Sequence, residues 1–559
     1  MTSPIPSSPA MGDEASQAAY IPADVPLTVA IAGARWTVWD GAVRLILFAA
    51  FVLVVLTFPD FGITHDEEVQ AIYGEKLLSW YLSGFADRSA FNYLDLFWYG
   101  GLFDLVAAIL NKVSPFGYYE TRHLLGGLVG VGGLFLAWRL GRLAGGPRAG
   151  MLATVLLAMT PAYIGHSFNN PKDVPFAVGM LWALYALARV VIELPRPRTR
   201  TVAWFGVALG VALSIRVGAL LIIGYLGLAV LAHFGLRLRM AGWDRTRRQV
   251  GALTPRMLGA LALAWAVIAL FWPWAVQDPL NPVRALSHFS RYDIDIESMF
   301  AGRLVPATNL PALYLPGYLA VTLPEAVLVG FAALAGGLAL RRRRPDEDGR
   351  VVALTLLAAL FPIAFFIVFR PTAYDGLRHF LFVIPPIAVL SALGLERLWA
   401  WAESRSRKAG RAFAALLLGA AVIQGTLIAR LHPDEYIYYN ALVGGVRGAA
   451  SGWELDYWSN SMHEATDRLA DAVLLENGGK PPARPVKVDI CGNGLSASYF
   501  FPRWMVETQS LADADYIICF TQADCWQTWR GRPVAEITRF GALLSVVKDR
   551  RGLPDPGRE

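Results

Sequence analysis

Apolar residues in this chain gather into long unbroken runs, without the two-residue alternation of a half-buried strand or the stripe of a surface helix. A helix needs about 20 such residues to cross the hydrocarbon core of a membrane, and somewhat shorter runs cross with help from their flanks. On that basis eleven spans are expected, over residues 43–58, 123–138, 150–165, 174–192, 201–215, 217–235, 257–273, 316–339, 351–369, 379–396 and 412–429. The pattern predicts a polytopic α-helical membrane protein.

The polar breaks are unequal. Breaks 139–148, 189–200, 237–256, 341–350 and 397–411 hold 23 Lys or Arg, against 11 in the longer segments on the other side up to residue 378. Basic residues accumulate on the cytoplasmic side, so the N-terminus is expected in the cytoplasm and the C-terminus outside the cell (inner) membrane. Residues 1–40 begin with Ser, Pro and Ala and lack an apolar signal core, which predicts a disordered cytoplasmic tail. The transmembrane module is expected over 41–430, with large outer loops at 59–122 and 274–315, where function usually concentrates.

From 431 to 559 the membrane pattern stops. A helix-like stretch, Met462–Glu476, is followed by strand-like runs at 486–490, Tyr516–Phe520 and 543–547, which predicts a small extracytoplasmic α/β domain. All three cysteines, Cys491, Cys519 and Cys525, lie in this tail, where a disulfide such as Cys519–Cys525 would leave one thiol over.

Composition agrees with the membrane assignment: 55% of residues are hydrophobic and 17% charged, against roughly 45–50% and 25% in soluble domains. The net charge of +6 would suit a polyanion, but its Arg clusters sit between apolar runs, where topology accounts for them and nucleic acid is not implied.

Chemistry-bearing residues collect on the outer side. Directly after the first span come Thr64, His65, Asp66, Glu67 and Glu68. A carboxylate there can take a proton from an incoming hydroxyl or amine with a second one orienting it, and the same acids also suit a helix N-terminus. Between spans three and four lie His166, Asn169, Asn170, Pro171, Lys172 and Asp173, which read either as part of a shared site or as a capped turn. Asp66, Glu67, His166 and Asp173, with His65, form an inventory from which a Mg²⁺ or Mn²⁺ site could be built, although no spacing is diagnostic. Arg122, Arg216 and Arg378 stand at outer span ends, where a guanidinium either forks onto a phosphate or snorkels to headgroups. His288 and Arg291, near Trp272, Trp274, Tyr292 and Asp293 in the second large loop, are candidates for a substrate loop.

Four features together resemble one family: the Asp66–Glu67 pair after span one, Arg122 opening span two, the Asn170-Pro171-Lys172-Asp173 loop, and Arg378-His379-Phe380-Leu381 ahead of Pro385-Pro386. They resemble the lipid-carrier-dependent GT-C glycosyltransferases of the protein O-mannosyltransferase and aminoarabinose-transferase type, glycosyltransferase family 39, over roughly residues 40–430. The resemblance implies a GT-C-like module and inverting transfer of a sugar from a polyprenyl-phosphate donor, without a nucleotide and often without a metal. It also implies Asp66 as general base, Glu67 in support, Asp173 as the second-loop acid, and Arg122 and Arg378 on the lipid phosphate, with Arg216 similarly located. His65, Asn170, Lys172, His288 and Arg291 would then contact substrate. The acceptor, whether protein, lipid or glycan, is left open, because the tail from Tyr438 onward matches no known acceptor module. The competing reading is a polytopic transporter or lipid flippase, which would place its acids near the bilayer midplane instead of at span ends.

Overall fold

The computed structural model describes residues 36–290, 292, 294–340, 347–522 and 525–553. The tail expected over 1–40 therefore lies mostly outside the described residues, as do Arg291 and Asp293.

Among the described residues, eight helices are long and apolar enough to cross a membrane: Val38–Asp60, Tyr118–Ala158, Asp173–Ile192, Val217–Ala241, Trp243–Phe271, Gly349–Phe369, Arg378–Arg405 and Arg407–Leu431. Tyr314–Thr322 and Glu325–Ala339, bent by 116° at their junction, make a ninth if the pair is one span. The chain is an integral membrane protein.

The count differs from eleven for two local reasons. Run 123–138 and the first part of 150–165 fall on the helical stretch Tyr118–Ala158, which breaks at Gly145 and Gly146, the latter at φ 87°, and the second run ends in the separate helix Pro161–Asn169. Beyond the break the chain doubles back. The Tyr163 hydroxyl donates to the Gly130 carbonyl at 2.8 Å, and a Cβ on Gly150 would stand 2.8 Å from the Trp138 carbonyl. The stretch is thus a tight antiparallel hairpin whose glycines let the backbones approach. Run 201–215 forms Thr199–Leu213, whose 15 residues reach about 22 Å, short of the hydrocarbon thickness.

Burial ranks the helices. The most apolar windows of Arg378–Arg405 and Asp173–Ile192 are 83% and 78% buried, whereas those of Val38–Asp60 and Arg407–Leu431 are 17% and 6% buried. The first two are the centre of the bundle, and both begin at residues expected in the site.

Beyond the last long helix, Met462–Glu476 packs on a five-stranded sheet ordered Met505–Glu507, Val486–Cys491, Tyr516–Phe520, Ala542–Asp549, Arg532–Arg539. The first three strands are parallel and the last two pair antiparallel. Met462, Leu469, Val488, Ile518 and Val547 close the core between helix and sheet. The helix and three strands fall where the pattern placed them. The other two strands were not legible: Met505–Glu507 has three residues, and Arg532–Arg539 is an edge carrying Pro533 and charges. The disulfide is Cys491–Cys525, with Cα atoms 6.2 Å apart, and Cys519 is the free thiol. This corrects the Cys519–Cys525 pairing: Cys519 sits fully buried on the central strand.

The segment leading into this layer is tied to both polar loops. The Asn460 side-chain oxygen accepts from the Gly62 N–H at 2.8 Å and from Asn169 Nδ2 at 2.7 Å, while its Nδ2 donates to Asp434 at 2.6 Å. One buried amide thus locks together the chain after the first span, the loop before Asp173 and the start of the tail.

Candidate functional site

The helix His65–Leu82 starts with Thr64 extended, and the Glu67 carboxylate accepts the Thr64 N–H at 3.0 Å. This is the reciprocal arm of a capping box. The Thr64 hydroxyl donates instead to the Asn169 carbonyl at 2.9 Å, which ties the helix start to the second loop. Glu67, 1% exposed, also meets His123 Nε2 at 3.1 Å. Glu67 therefore serves the cap and His123, which corrects its expected place beside Asp66 in a carboxylate pair. Glu67 thus makes the capping contact, whereas the Asp66 side chain keeps 31% exposure and meets Arg378 Nη1 at 2.8 Å.

In the second loop the capped turn also carries contacts to other segments. The Asn170 side-chain oxygen accepts the N–H of Lys172 at 3.2 Å and of Asp173 at 2.7 Å, forming the turn that opens Asp173–Ile192. Asn170 Nδ2 then donates to Asp173 Oδ2 at 3.1 Å, aiming that carboxylate at two guanidinium groups. Asp173 pairs with Arg216 and lies 3.9 Å from Arg378.

Arg378 is the hub. Its side chain is 5% exposed, and it contacts Asp66 at 2.8 Å and Asp375 at 2.9 Å. Its guanidinium stands 4.7 Å from the centre of the Tyr374 ring and 4.8 Å from that of Trp458. Lys172 Nζ lies 4.2 Å over Tyr99, and Arg216 shares that ring at 5.6 Å. Three carboxylates and three cations, drawn from four segments of the chain, converge around Tyr99, Tyr374 and Trp458.

Arg122 stands one relay away. It is fully buried against Asp104 at 2.6 Å. In the amide orientation that satisfies both neighbours, Gln70 donates to Asp104 and accepts from Lys172 Nζ, each at 2.7 Å. Arg122 thus reaches the cluster through Asp104, Gln70 and Lys172 and does not share its centre with Arg216 and Arg378.

The charges settle the protonation states. Burial pushes the Asp66 carboxyl up, but Arg378 and then Lys172 outweigh it and hold the group at about 2, so Asp66 is ionised at neutral pH. Burial pushes Asp375 up to about 6, against the pull of Arg378. Burial also pulls the Lys172 ammonium down, with Asp66 acting the other way.

The remaining candidates separate. His65 Nε2 lies 2.6 Å from the Ser459 hydroxyl, and His166 Nε2 lies 2.9 Å from the Tyr457 hydroxyl; both histidines dock the tail. His288 stacks on Trp98 at 4.6 Å, and its neighbour Phe289 meets Tyr99 at 4.4 Å, so the helix Asn281–Ser290 reaches the cluster through an aromatic layer. The divalent-cation inventory does not assemble. Among the described residues no group of three His, Cys, Asp or Glu side chains is placed to hold a metal ion; Glu67 faces His123, His166 faces Tyr457, and a guanidinium lies between Asp66 and Asp173. The donor set does not fit a metal ion.

Sequence reading missed Tyr99, Tyr374, Asp375 and Trp458. The one available signal was Asp375-Gly376, a turn dipeptide that both residues fulfil with positive φ, 56° and 67°. Glu454 was also missed as a link. It accepts from Ser298 Oγ at 3.0 Å, from the Met299 N–H at 2.6 Å and from Gln522 at 3.0 Å, joining the second large loop to the sheet layer. Burial pushes the Glu454 carboxyl up to about 7. A raised carboxyl favours the folded state when protonated, so its contribution is complete below its unfolded value and disappears as pH rises through 7. Thermal unfolding followed from pH 5 to 8 should show stability declining over that window in wild type and a flatter profile in Glu454→Gln.

Residues 105–274 match the family model of the dolichyl-phosphate-mannose-protein mannosyltransferases. The match falls in the family that the motifs resemble. It covers Asp104's neighbour Leu105 through Trp274, and so includes Arg122, Asn170, Lys172, Asp173 and Arg216 but neither Asp66 nor Arg378. Among solved structures, the chain is similar to ArnT from Cupriavidus metallidurans bound to undecaprenyl phosphate, at 17% identity and TM-score 0.48, over 91% of this chain and 98% of that one. It is similar to the oligosaccharyltransferase AglB from Archaeoglobus fulgidus, in complex with an inhibitory peptide and a dolichol-phosphate, at 14% identity and TM-score 0.47, over 86% and 69%. It is also similar to the arabinofuranosyltransferase AftD from Mycobacteria, at 15% identity and TM-score 0.43, over 91% and 40%. No curated protein sequence matches the chain.

Proposed function

We propose that this protein is a membrane glycosyltransferase that moves a sugar from a polyprenyl-phosphate donor to an acceptor at the external face, with inversion. The observation that carries the reading is the sharing of one buried guanidinium, Arg378, by a partly exposed carboxylate, Asp66, and two further acids, with Lys172 and Arg216 alongside. The family match over residues 105–274 supports it.

A donor phosphate entering this cluster competes with Asp66 for Arg378. Once the phosphate holds Arg378, Asp66 loses the partner that depresses its basicity and becomes able to accept a proton. The acceptor hydroxyl or amine then attacks the anomeric carbon opposite the phosphate while its proton passes to Asp66. The bond between that carbon and the phosphate oxygen breaks, and Arg378, Arg216 and Lys172 hold the charge left on the lipid phosphate. Asp173 positions Arg216, and Asp375 positions Arg378.

In this reading residues 41–430 are the catalytic module and residues 431–559 form the external layer that closes over it through Trp458, Ser459 and Asn460. Eleven crossings result if the second arm of the hairpin, Thr199–Leu213 and the bent pair all traverse the bilayer. The test is release of polyprenyl phosphate by the purified protein from a panel of polyprenyl-phosphate hexoses and pentoses, with protein, lipid and glycan acceptors. Acceptor-dependent release is expected; no release from any donor, together with solute or lipid movement in reconstituted vesicles, would replace this reading with a transporter.

A further inference from the structure

The helix Arg407–Leu431 is nearly bare, with 6% of its apolar window buried. Leu416, Leu418 and Val422 are 60–67% exposed and face the hydrocarbon. On each side, however, the helix borders a cavity. One, of about 680 Å³, runs between it, Leu156 and Met159 of the hairpin, and Leu395 of the central helix. The other, of about 550 Å³, is walled by Leu53, Val54, Leu134, Phe168 and Ile428. Neither contains a member of the Asp66–Asp173–Arg378 cluster.

The larger cavity has a polar end. Gln424, 7% exposed, accepts from the Tyr438 hydroxyl at 3.3 Å through its oxygen, while its buried Nε2 has no acceptor among the described residues. An orphan amide N–H₂ in an apolar setting costs free energy until an acceptor arrives. Gln424 stands seven residues before Leu431, about 10 Å down the helix from its outer end. Arg447 lines the mouth, exposed and without an ion pair among the described residues.

We infer that the larger cavity seats a resident glycerophospholipid. Its acyl chain fills the apolar cleft, an ester carbonyl accepts from Gln424 Nε2, and the phosphate meets Arg447. The cavity offers an apolar cleft, an amide donor and a cation, which complement the acyl chain, ester carbonyl and phosphate of a phospholipid. A polyprenyl chain has no carbonyl for Gln424. The lipid supplies the packing that Arg407–Leu431 lacks against the bundle, and so holds the helix from which the chain enters the external layer.

Native mass spectrometry of the full-length protein, purified in mild detergent and titrated separately with phosphatidylglycerol, phosphatidylethanolamine and polyprenyl phosphate, tests this. Wild type is expected to retain one phospholipid per chain. Gln424→Leu, which keeps the volume but removes the donor, should lower that occupancy about tenfold, and Ala421→Trp, which fills the cleft, should abolish it. Thermal unfolding of wild type should fall on delipidation and recover with phospholipid. Retention unchanged in both variants would overturn the inference, as would retention of polyprenyl phosphate in place of phospholipid. Neither readout depends on sugar transfer, so failure here is separable from failure of the enzymatic reading.

Discussion

Asp66→Asn should lower the turnover number by about 10²–10⁴-fold, the range associated with loss of a positioned general base. Asn keeps the shape of the side chain and cannot take a proton. The helix start should survive, because the cap is made by Glu67 with the Thr64 N–H and not by Asp66. Glu67→Gln is the informative contrast. It weakens the cap and the contact with His123, so it should lower unfolding stability by about 0.5–2 kcal/mol while leaving a larger share of turnover. Steady-state transfer and thermal unfolding on the same preparations separate the two acids. Equal losses of turnover would show that Asp66 and Glu67 act as a pair after all.

Arg378→Gln should be the most damaging change to both folding and donor binding. The guanidinium is 5% exposed and faces Asp66, Asp375 and Asp173 at 2.8, 2.9 and 3.9 Å. Removing one partner from a buried ion pair costs about 3–5 kcal/mol, because the other charge is left uncompensated. The pH dependence has a definite sign. Asp66 is held near 2, below its ordinary value, so its contribution to stability is complete above that ordinary value and is lost as pH falls through the native one. In Arg378→Gln that arrangement disappears, and the variant should recover stability on mild acidification, as the carboxyls take up protons, and should lack the loss that Asp66 gives wild type as pH falls from 3.8 toward about 2. Arg378→Lys keeps the charge but not the fork, so it should restore folding more than donor affinity.

Much of the fold was legible because membrane helices announce themselves by length and apolarity alone. What the pattern could not show was geometry. Gly145 and Gly146 turn one helical stretch into a hairpin, and glycine is ordinary in membrane helices, so only coordinates distinguish a turning pair from a packing pair. The three-residue strand Met505–Glu507 is below any periodicity, and Arg532–Arg539 reads as polar because it is an edge.

The site was half legible for a related reason. Asp66, Asp173, Arg216 and Arg378 each sit at a polar break beside a span, where a charge stands out against its apolar surroundings. Asp375 was hidden in a turn whose Asp-Gly composition is sufficient explanation for its presence. Tyr99, Tyr374 and Trp458 were hidden by the aromatic belts of any membrane protein. Glu67 was misplaced because adjacent residues on a helix point about 100° apart, so two neighbouring acids seldom serve one centre.

The most direct measurement is the equilibrium binding of polyprenyl phosphate by wild type, Asp66→Asn and Arg378→Gln, paired with single-turnover transfer from a preloaded donor. If the lipid phosphate takes Arg378 from Asp66, then Asp66→Asn binds it at least as tightly as wild type and fails to transfer, while Arg378→Gln loses binding. Weaker binding in Asp66→Asn, or transfer at the wild-type rate by that variant once loaded, would contradict the account.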